Sequence, residues 1–350
     1  MIPYIEIRDK YTLKTIAPVE PQECWFELSF NEVGEFQIYC QASQKNLRAL
    51  QKGRFVTIPN KRFIWYITAV KYTFTAGGAR MISATGFEAK WLLSKRCILT
   101  PKELSGTITN AVYGLVNHNL GTGAQAARKV VGFTVDTNDI LIDISGTQAT
   151  RGNLLEFTNN LLNSYNCGSI VEFIGGKLVY RIFTGEIKNR SVRFSQSLDN
   201  LLSSEYLTDD AEKASYALTV STVEDVEYTQ EYNEGATGID RAEIVVESNL
   251  STKYEDANGN ELETTPDSAL YQGWLVAEGK NKLAEQITVE EVKGEIDVVN
   301  SLYEFDTDFF IGDTVGVQDD FFNFSINTKI TKYTFKQDAN GYGEEAEYGG

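Results

Sequence analysis

Histidine is almost missing from this chain: His118 is the only one in 350 residues. A general base has to sit within hydrogen-bond reach of the group it serves. A lone histidine between Asn117 and Asn119, near the end of a predicted helix, therefore reads as a helix-end or surface side chain. The motifs GxSxG, HExxH and the P-loop are absent as well, which removes the enzyme classes that depend on those turns. Cys24, Cys40, Cys97 and Cys167 lie far apart, with no CxxC pair. They read as buried thiols of a protein made in a reducing cytosol, and a zinc site is not expected. No apolar run approaches the roughly 18–20 residues that cross a bilayer, so no membrane span is expected. The start, Met-Ile-Pro-Tyr-Ile-Glu-Ile-Arg-Asp, is strand-like and acidic early, and reads as having no signal peptide.

Carboxylates are plentiful, so composition does not exclude a glycosidase pair. Asp306, Asp308 and Asp313 stand beside predicted turns and read as turn formers. Asp256-Ala257-Asn258-Gly259-Asn260-Glu261 imitates the start of a calcium loop, but Asp267 stands where the closing Glu belongs. Strand-forming residues flank it, and Asn258-Gly259 predicts a hairpin turn. No catalytic residue, metal ligand or cofactor is assigned. Lys61-Arg62 and Arg190–Arg193 are too sparse for a nucleic-acid surface.

What the chain does have is charge asymmetry and a repeat. The net charge of −17 divides into 23 Lys+Arg against 16 Asp+Glu through Asn200, then 9 against 33. Such a split suggests different surroundings for the two halves, either an acidic wall that does not hold DNA or simple solubility. Gly53-Arg54-Phe55-Val56-Thr57-Ile58 is matched by Gly312-Asp313-Thr314-Val315-Gly316-Val317. Each is followed by an alternating strand (Trp65-Ile67-Ala69, then Ile326-Thr328-Ile330) and by Lys-Tyr-Thr-Phe, at 71–74 and 332–335. A two-residue gap brings the copies into register. Two similar β-units per chain allow few subunits to present twice as many modules.

Length predicts two to three domains. Strand signals dominate residues 1–95, including Ile5 with Ile7, Trp25–Phe30 and a Gly77-Gly78 hairpin. Helical spacing over Ile108, Val112, Leu115 and Val116, and again over Leu154–Leu162, marks 96–205 as an α+β module that closes with a hairpin over Gly175-Gly176. Residues 206–350 return to strands, with a helix over Ala269–Glu285 capped at Asp267-Ser268, inside an insertion near 266–290. The expected fold is mainly β with α+β insertions: two tube-like β-barrels (1–95 and 206–350) around smaller α+β parts.

Several short motifs, in order, carry a resemblance. They are Val33-Gly34-Glu35-Phe36, the strand-to-helix step from Ala84 to Arg96, Phe309–Val317, and Asn327–Phe335 followed by a turn at Asp338–Tyr342. Together they resemble a baseplate hub protein of long-tailed bacteriophages, in the siphophage tail family that shares its fold with the contractile-tail hub. The first unit departs from the pattern, with Lys52-Gly53-Arg54 in place of a Gly-Asp pair. The resemblance implies a non-catalytic homotrimer whose six barrels join the tail tube or a distal tail protein above to spike, fibre or receptor-binding proteins below. DNA would pass through without specific binding. It also implies a place in the virion tail tip, after synthesis in the host cytoplasm, and a chain end at Gly350 without room for a hydrolase domain. Subunit contacts are expected at barrel edges near Phe63, Trp65, Phe322 and Phe324. The competing expectation is a receptor- or carbohydrate-binding module, since 18 tyrosines and 4 tryptophans can stack on sugars as well as fill a β-core.

Overall fold

The computed structural model describes the chain except residues 1, 31, 75–76, 145, 257–258, 287–288, 298–300, 320–323, 340 and 350, with backbone alone at 289–293, 295 and 324. The chain opens with β1 (Ile5–Arg8) and β2 (Thr15–Val19), paired antiparallel. In β3 (Glu23–Ser29) and β4 (Glu35–Gln41), the period of two that the sequence displays puts Cys24, Phe26 and Leu28, then Phe36, Ile38 and Cys40, on the buried face. A short helix, α1 (Gln44–Ala49), is capped by Ser43 and leads to β5 (Phe55–Thr57). The long hairpin of β6 (Ile64–Phe74) and β7 (Arg80–Glu88) follows, with Gly78 at φ +86° in its turn. Laterally these strands run β3-β4-β7-β6-β5-β1-β2.

A 3-10 turn, Ala89–Lys95, continues β7 into the middle of the chain, as the Ala84–Arg96 motif predicts. There β8 (Cys97–Ile98), β9 (Lys102–Leu104), α2 (Ile108–Leu120), β10 (Phe133–Val135), β11 (Thr147–Ala149) and β12 (Gly152–Asn153) precede α3 (Leu154–Ser164). Thr107 caps α2, and Asn153 caps α3 by accepting from Leu155 N and Glu156 N. The hairpin β13 (Gly168–Ile174) and β14 (Lys177–Phe183) turns over Gly175 and Gly176, both at positive φ. The buried faces of both helices and of this hairpin form one hydrophobic cluster.

The rest of the chain holds β15 (Arg193–Ser195) and β16 (Leu201–Asp209). An inserted module follows, made of β17 (Tyr216–Val223), β18 (Val226–Asn233), β19 (Glu243–Glu247), β20 (Lys253–Glu255), β21 (Glu261–Glu263) and α4 (Ala269–Leu283). Then come β22 (Val289–Ile296), β23 (Thr314–Asp319), β24 (Phe324–Asp338) and β25 (Gly341–Gly349). Ser268 caps α4, as the sequence predicts. Strands β20 and β21 pair antiparallel as the Asn258-Gly259 hairpin requires, although Ala257 and Asn258 themselves lie outside the described residues.

The outer strands of this last part run β16-β22-β25-β24-β23-β15, the same order as β3-β4-β7-β6-β5-β1. The likeness extends to single atoms. Gly53 has φ +89° and Gly312 φ +90°, so Gly53 adopts the same turn although Arg54 stands where unit two has Asp313. Gly53 N donates to Ile67 O at 2.8 Å and Ile67 N to Arg54 O at 2.9 Å. Gly312 N donates to Ile330 O at 2.6 Å and Ile330 N to Asp313 O at 3.0 Å. Each long strand then bulges at the next residue, where the Thr68 hydroxyl bonds Thr85 O at 3.4 Å and the Thr331 hydroxyl bonds Glu347 O at 3.1 Å. One pairing differs: β1 meets β5 antiparallel, whereas β15 meets β23 in parallel.

This geometry confirms the repeat and corrects its register. Ile67 corresponds to Ile330, so the gap is four residues and not two. The β23–β24 hairpin carries three pairs that β5–β6 lacks, Val317↔Ile326, Gln318↔Ser325 and Asp319↔Phe324. The two Lys-Tyr-Thr-Phe tetrapeptides are therefore not equivalent. The two units are also not separate. Residues 332–337 of β24 pair with 24–29 of β3, which runs both units into one 13-stranded sheet. Among the described residues this sheet is open, ending at β2 and β16, so closed barrels are not what the hydrogen bonding forms. One core cluster draws side chains from both ends of the chain.

Candidate functional site: the seam between the two units

The β24–β3 seam sets Phe335 opposite Phe26 and Tyr333 opposite Leu28. All four side chains are buried. Phe26 stacks parallel to Phe36 at 5.6 Å and packs on Trp65 at 4.8 Å, and Tyr333 lies flat on Phe305 at 3.7 Å. Aromatic pairs of this kind add roughly 0.5–1.5 kcal/mol beyond the area they bury.

Phe63 and Trp65 fall on this seam, inside the chain. Phe63 packs 6.0 Å from Phe305 and from Phe335. Trp65 donates its indole N–H to Glu27 O at 2.9 Å. Both are fully buried, so neither presents its side chain at the surface of the chain. Phe322 lies outside the described residues, and Phe324 is described only as the first residue of β24, opposite Asp319.

Two ionic clusters tie the middle of the chain to the units. The Lys90 ammonium is buried 2.9 Å from the Glu88 carboxylate and donates to Ser29 O at 2.7 Å and Ser169 O at 3.1 Å. It thus joins β3, the 3-10 turn and β13. Burial pushes the Glu88 carboxyl up to about 6, with Lys90 opposing the shift. Nearby, the buried Glu172 carboxylate on β13 is held by Arg181 at 2.6 Å and Arg62 at 3.0 Å, and Arg62 reaches Asp306 at 2.5 Å. Asp308 and Asp313 accept from Glu304 N and Phe310 N, the turn-forming role the sequence suggests.

His118 is exposed in the last turn of α2. Cys24, Cys40 and Cys167 are buried, and burial raises the Cys24 thiol to about 12, whereas Cys97 is exposed, against expectation. Its strand β8 has two residues and shields only one face, with Ile98 inward. Between α3 and α4 lies a cleft of about 230 Å³, lined among others by Asn153, Phe157, Trp274, Glu278 and Lys282. The Trp274 indole N–H is buried there without a hydrogen-bond partner, and the Ser248 hydroxyl donates to Glu278 at 2.5 Å. No helix among the described residues is long and apolar enough to cross a membrane.

Sequence reasoning missed the seam because its strands are some 300 residues apart and no local pattern records their pairing. Lys90 and Glu88 were equally invisible. An i,i+2 charge pair after a strand looks like any solvated step.

A fold of paired, fused β-units around an α+β middle is that of phage tail proteins. The tail protein from Neisseria meningitidis MC58 is similar with TM-score 0.59 and 13% identity, over 99% of this chain and 96% of that one. The 43 kDa tail protein of prophage MuSo2 from Shewanella oneidensis gives 0.59 and 12%, over 99% and 98%. The prophage tail protein gp18 from Listeria monocytogenes EGD-e gives 0.54 and 11%, over 99% and 94%. At these identities the likeness is one of fold. The family model described as Siphovirus ReqiPepy6 Gp37-like protein matches residues 5–349, and the chain belongs to that siphovirus tail protein family. No curated protein matches it by sequence.

Proposed function

We propose that the chain is the hub subunit of a phage tail tip. Three copies close a ring in which six β-units surround the axis. Residues 1–95 supply one unit; 206–350, together with β15 and the first residues of β16, supply the other, and the α+β part of 96–205 stands between them. One side of the ring meets the six-fold tail tube or a distal tail protein. The other meets a three-fold spike, fibre or receptor-binding assembly, and DNA passes through the ring without being read. The role is structural and non-catalytic, and its place is the virion tail tip, reached after synthesis in the host cytoplasm. The hub of a headless contractile injection particle would use the same architecture.

The observation that carries this reading is the repeat, with the same strand order, glycine turn and bulge threonine in both units. A chain holding two equivalent modules is what a three-fold ring needs to match a six-fold tube. A second reading, a receptor- or sugar-binding tail module, is favoured by the cleft beside Trp274, whose buried indole N–H has no hydrogen-bond partner. One measurement separates them. Light scattering coupled to size exclusion should give a mass near three times 39.1 kDa that persists on dilution, as for an obligate interface of roughly 2,000 Å² or more. A chain that stays monomeric at every concentration sinks the ring and leaves the binding module.

A further inference from the structure

Each unit carries the same two edges, and only one of each is used. In the seam, the edge of β24 beyond its bulge pairs with the outer edge of β3. By the repeat, β6 is the counterpart of β24 and β16 the counterpart of β3. Ala69–Phe74 of β6 pairs only with β7, and β16 pairs only with β22 among the described strands. The chain thus holds one complete seam and the two separate halves of another.

One position on each half keeps an aromatic ring where the seam has one. Tyr72 occupies the place of Phe335, and Tyr206 that of Phe26. In the seam those positions are 1% and 0% exposed, whereas Tyr72 is 57% and Tyr206 45% exposed. Phe74 and Leu207, at 67% and 45%, flank them. Large side chains exposed to this degree on sheet edges mark surfaces that another strand covers.

We propose that β6 of one copy pairs antiparallel with β16 of a second copy of this chain, repeating the β24–β3 seam between subunits. The register follows from the seam: Val70 opposite Thr208, Lys71 opposite Leu207, Tyr72 opposite Tyr206, Thr73 opposite Glu205. Lys71 then sits diagonally between Glu205 and Asp209, within reach of both. The charges fit, because β6 lies in the basic half of the chain and β16 opens the acidic half. The contact is head-to-tail, so copies add in one direction until the ring closes. It rests on the ring reading above and names the surface by which the ring is built.

Disulfide trapping tests it. The full chain carries Cys97→Ser, which removes the exposed thiol, with Tyr72→Cys and Tyr206→Cys added, and is oxidised mildly at high concentration. Both sites are exposed, and melting of the variant beside the parent chain checks that the fold is kept. Directly opposed cross-strand positions fall within disulfide reach. The chain should therefore pass into covalent multimers ending at three copies on a non-reducing gel. A pair shifted by one, Tyr72→Cys with Leu207→Cys, places the thiols on opposite faces and should link about tenfold less. Lys71→Glu should lower association about tenfold, with Asp209→Lys restoring part of it. If light scattering shows multimers while 72 and 206 stay unlinked, or the shifted pair links as well, this seam is overturned and the ring stands. If the chain is monomeric and unlinked, both fall.

Discussion

Glu88 and Lys90 are withdrawn from water together where β3, the 3-10 turn and β13 meet, and they hold each other at 2.9 Å. The ammonium has two backbone carbonyls besides, at Ser29 and Ser169. The carboxylate has only the Ser29 N–H at 3.4 Å. Burial therefore outweighs the partner for Glu88, and its pKa rises from 4.5 to about 6 in the folded chain. The folded state keeps this proton at pH values where the unfolded chain has lost it. The resulting stabilisation, about 2 kcal/mol, is fully present below the unfolded value and is lost as pH rises through about 6. Lys90→Met should expose the asymmetry. Near pH 8 it leaves an unanswered carboxylate in a dry seam and costs roughly 3–5 kcal/mol. At pH 5 Glu88 is protonated and the loss should be clearly smaller. Urea unfolding at the two pH values measures this, and equal losses would mean that Lys90 acts by packing and not by charge.

Among the elements, the glycine that opens each hairpin is the most demanding point of the repeat. Gly53 and Gly312 share a left-handed backbone, so alanine at either costs roughly 1–2 kcal/mol of strain. Their surroundings differ. A Cβ on Gly53 would meet Lys10 Cδ at 3.4 Å, the end of a flexible side chain, whereas one on Gly312 would meet the buried Phe30 ring at 2.5 and 2.6 Å. Gly312→Ala should therefore lower the melting temperature well beyond Gly53→Ala, by a further roughly 1–3 kcal/mol of overpacking. Similar losses for both would show that the Phe30 ring yields. This hairpin also shows what was legible in the sequence and what was not. Most of the longer strands, the helices α2, α3 and α4 with the Ser268 cap of α4, and the existence of a repeat are local patterns, and they read correctly. The register of the repeat does not. A slip of two residues keeps every side chain on the same face, so Lys71–Phe74 and Lys332–Phe335 align convincingly while standing two places apart in the fold. The fusion of β24 to β3 is likewise a long-range pairing, and the burial of Phe63 and Trp65 follows from it, not from their neighbours in sequence.

At the scale of the molecule, the inserted module between β16 and β22 can be separated from the ring by topology. Its ends are adjacent, because Asp209 pairs with Val289. Its own apolar clusters are small and distinct from the main core. Residues 210–288 also hold 17 Asp+Glu against 5 Lys+Arg, so most of the net charge of −17 travels with the insertion and not with the β-units. An acidic channel wall would then have to be made by this module and not by the sheet. Replacing 210–288 with an Asn-Gly turn joins β16 directly to β22 as a hairpin. The replacement uncovers the side of α3 that faces α4 and removes the two hydrogen bonds of about 3.1 Å between Gln148 and Ser251. A melting temperature lower by several degrees is expected. The outer edges of β6 and β16 are untouched, so the shortened chain should unfold cooperatively and should assemble with the same number of copies as the full chain by light scattering. A shortened chain that folds but remains monomeric would place ring contacts in the insertion, and would make the acidic module part of the assembly and not a decoration on it.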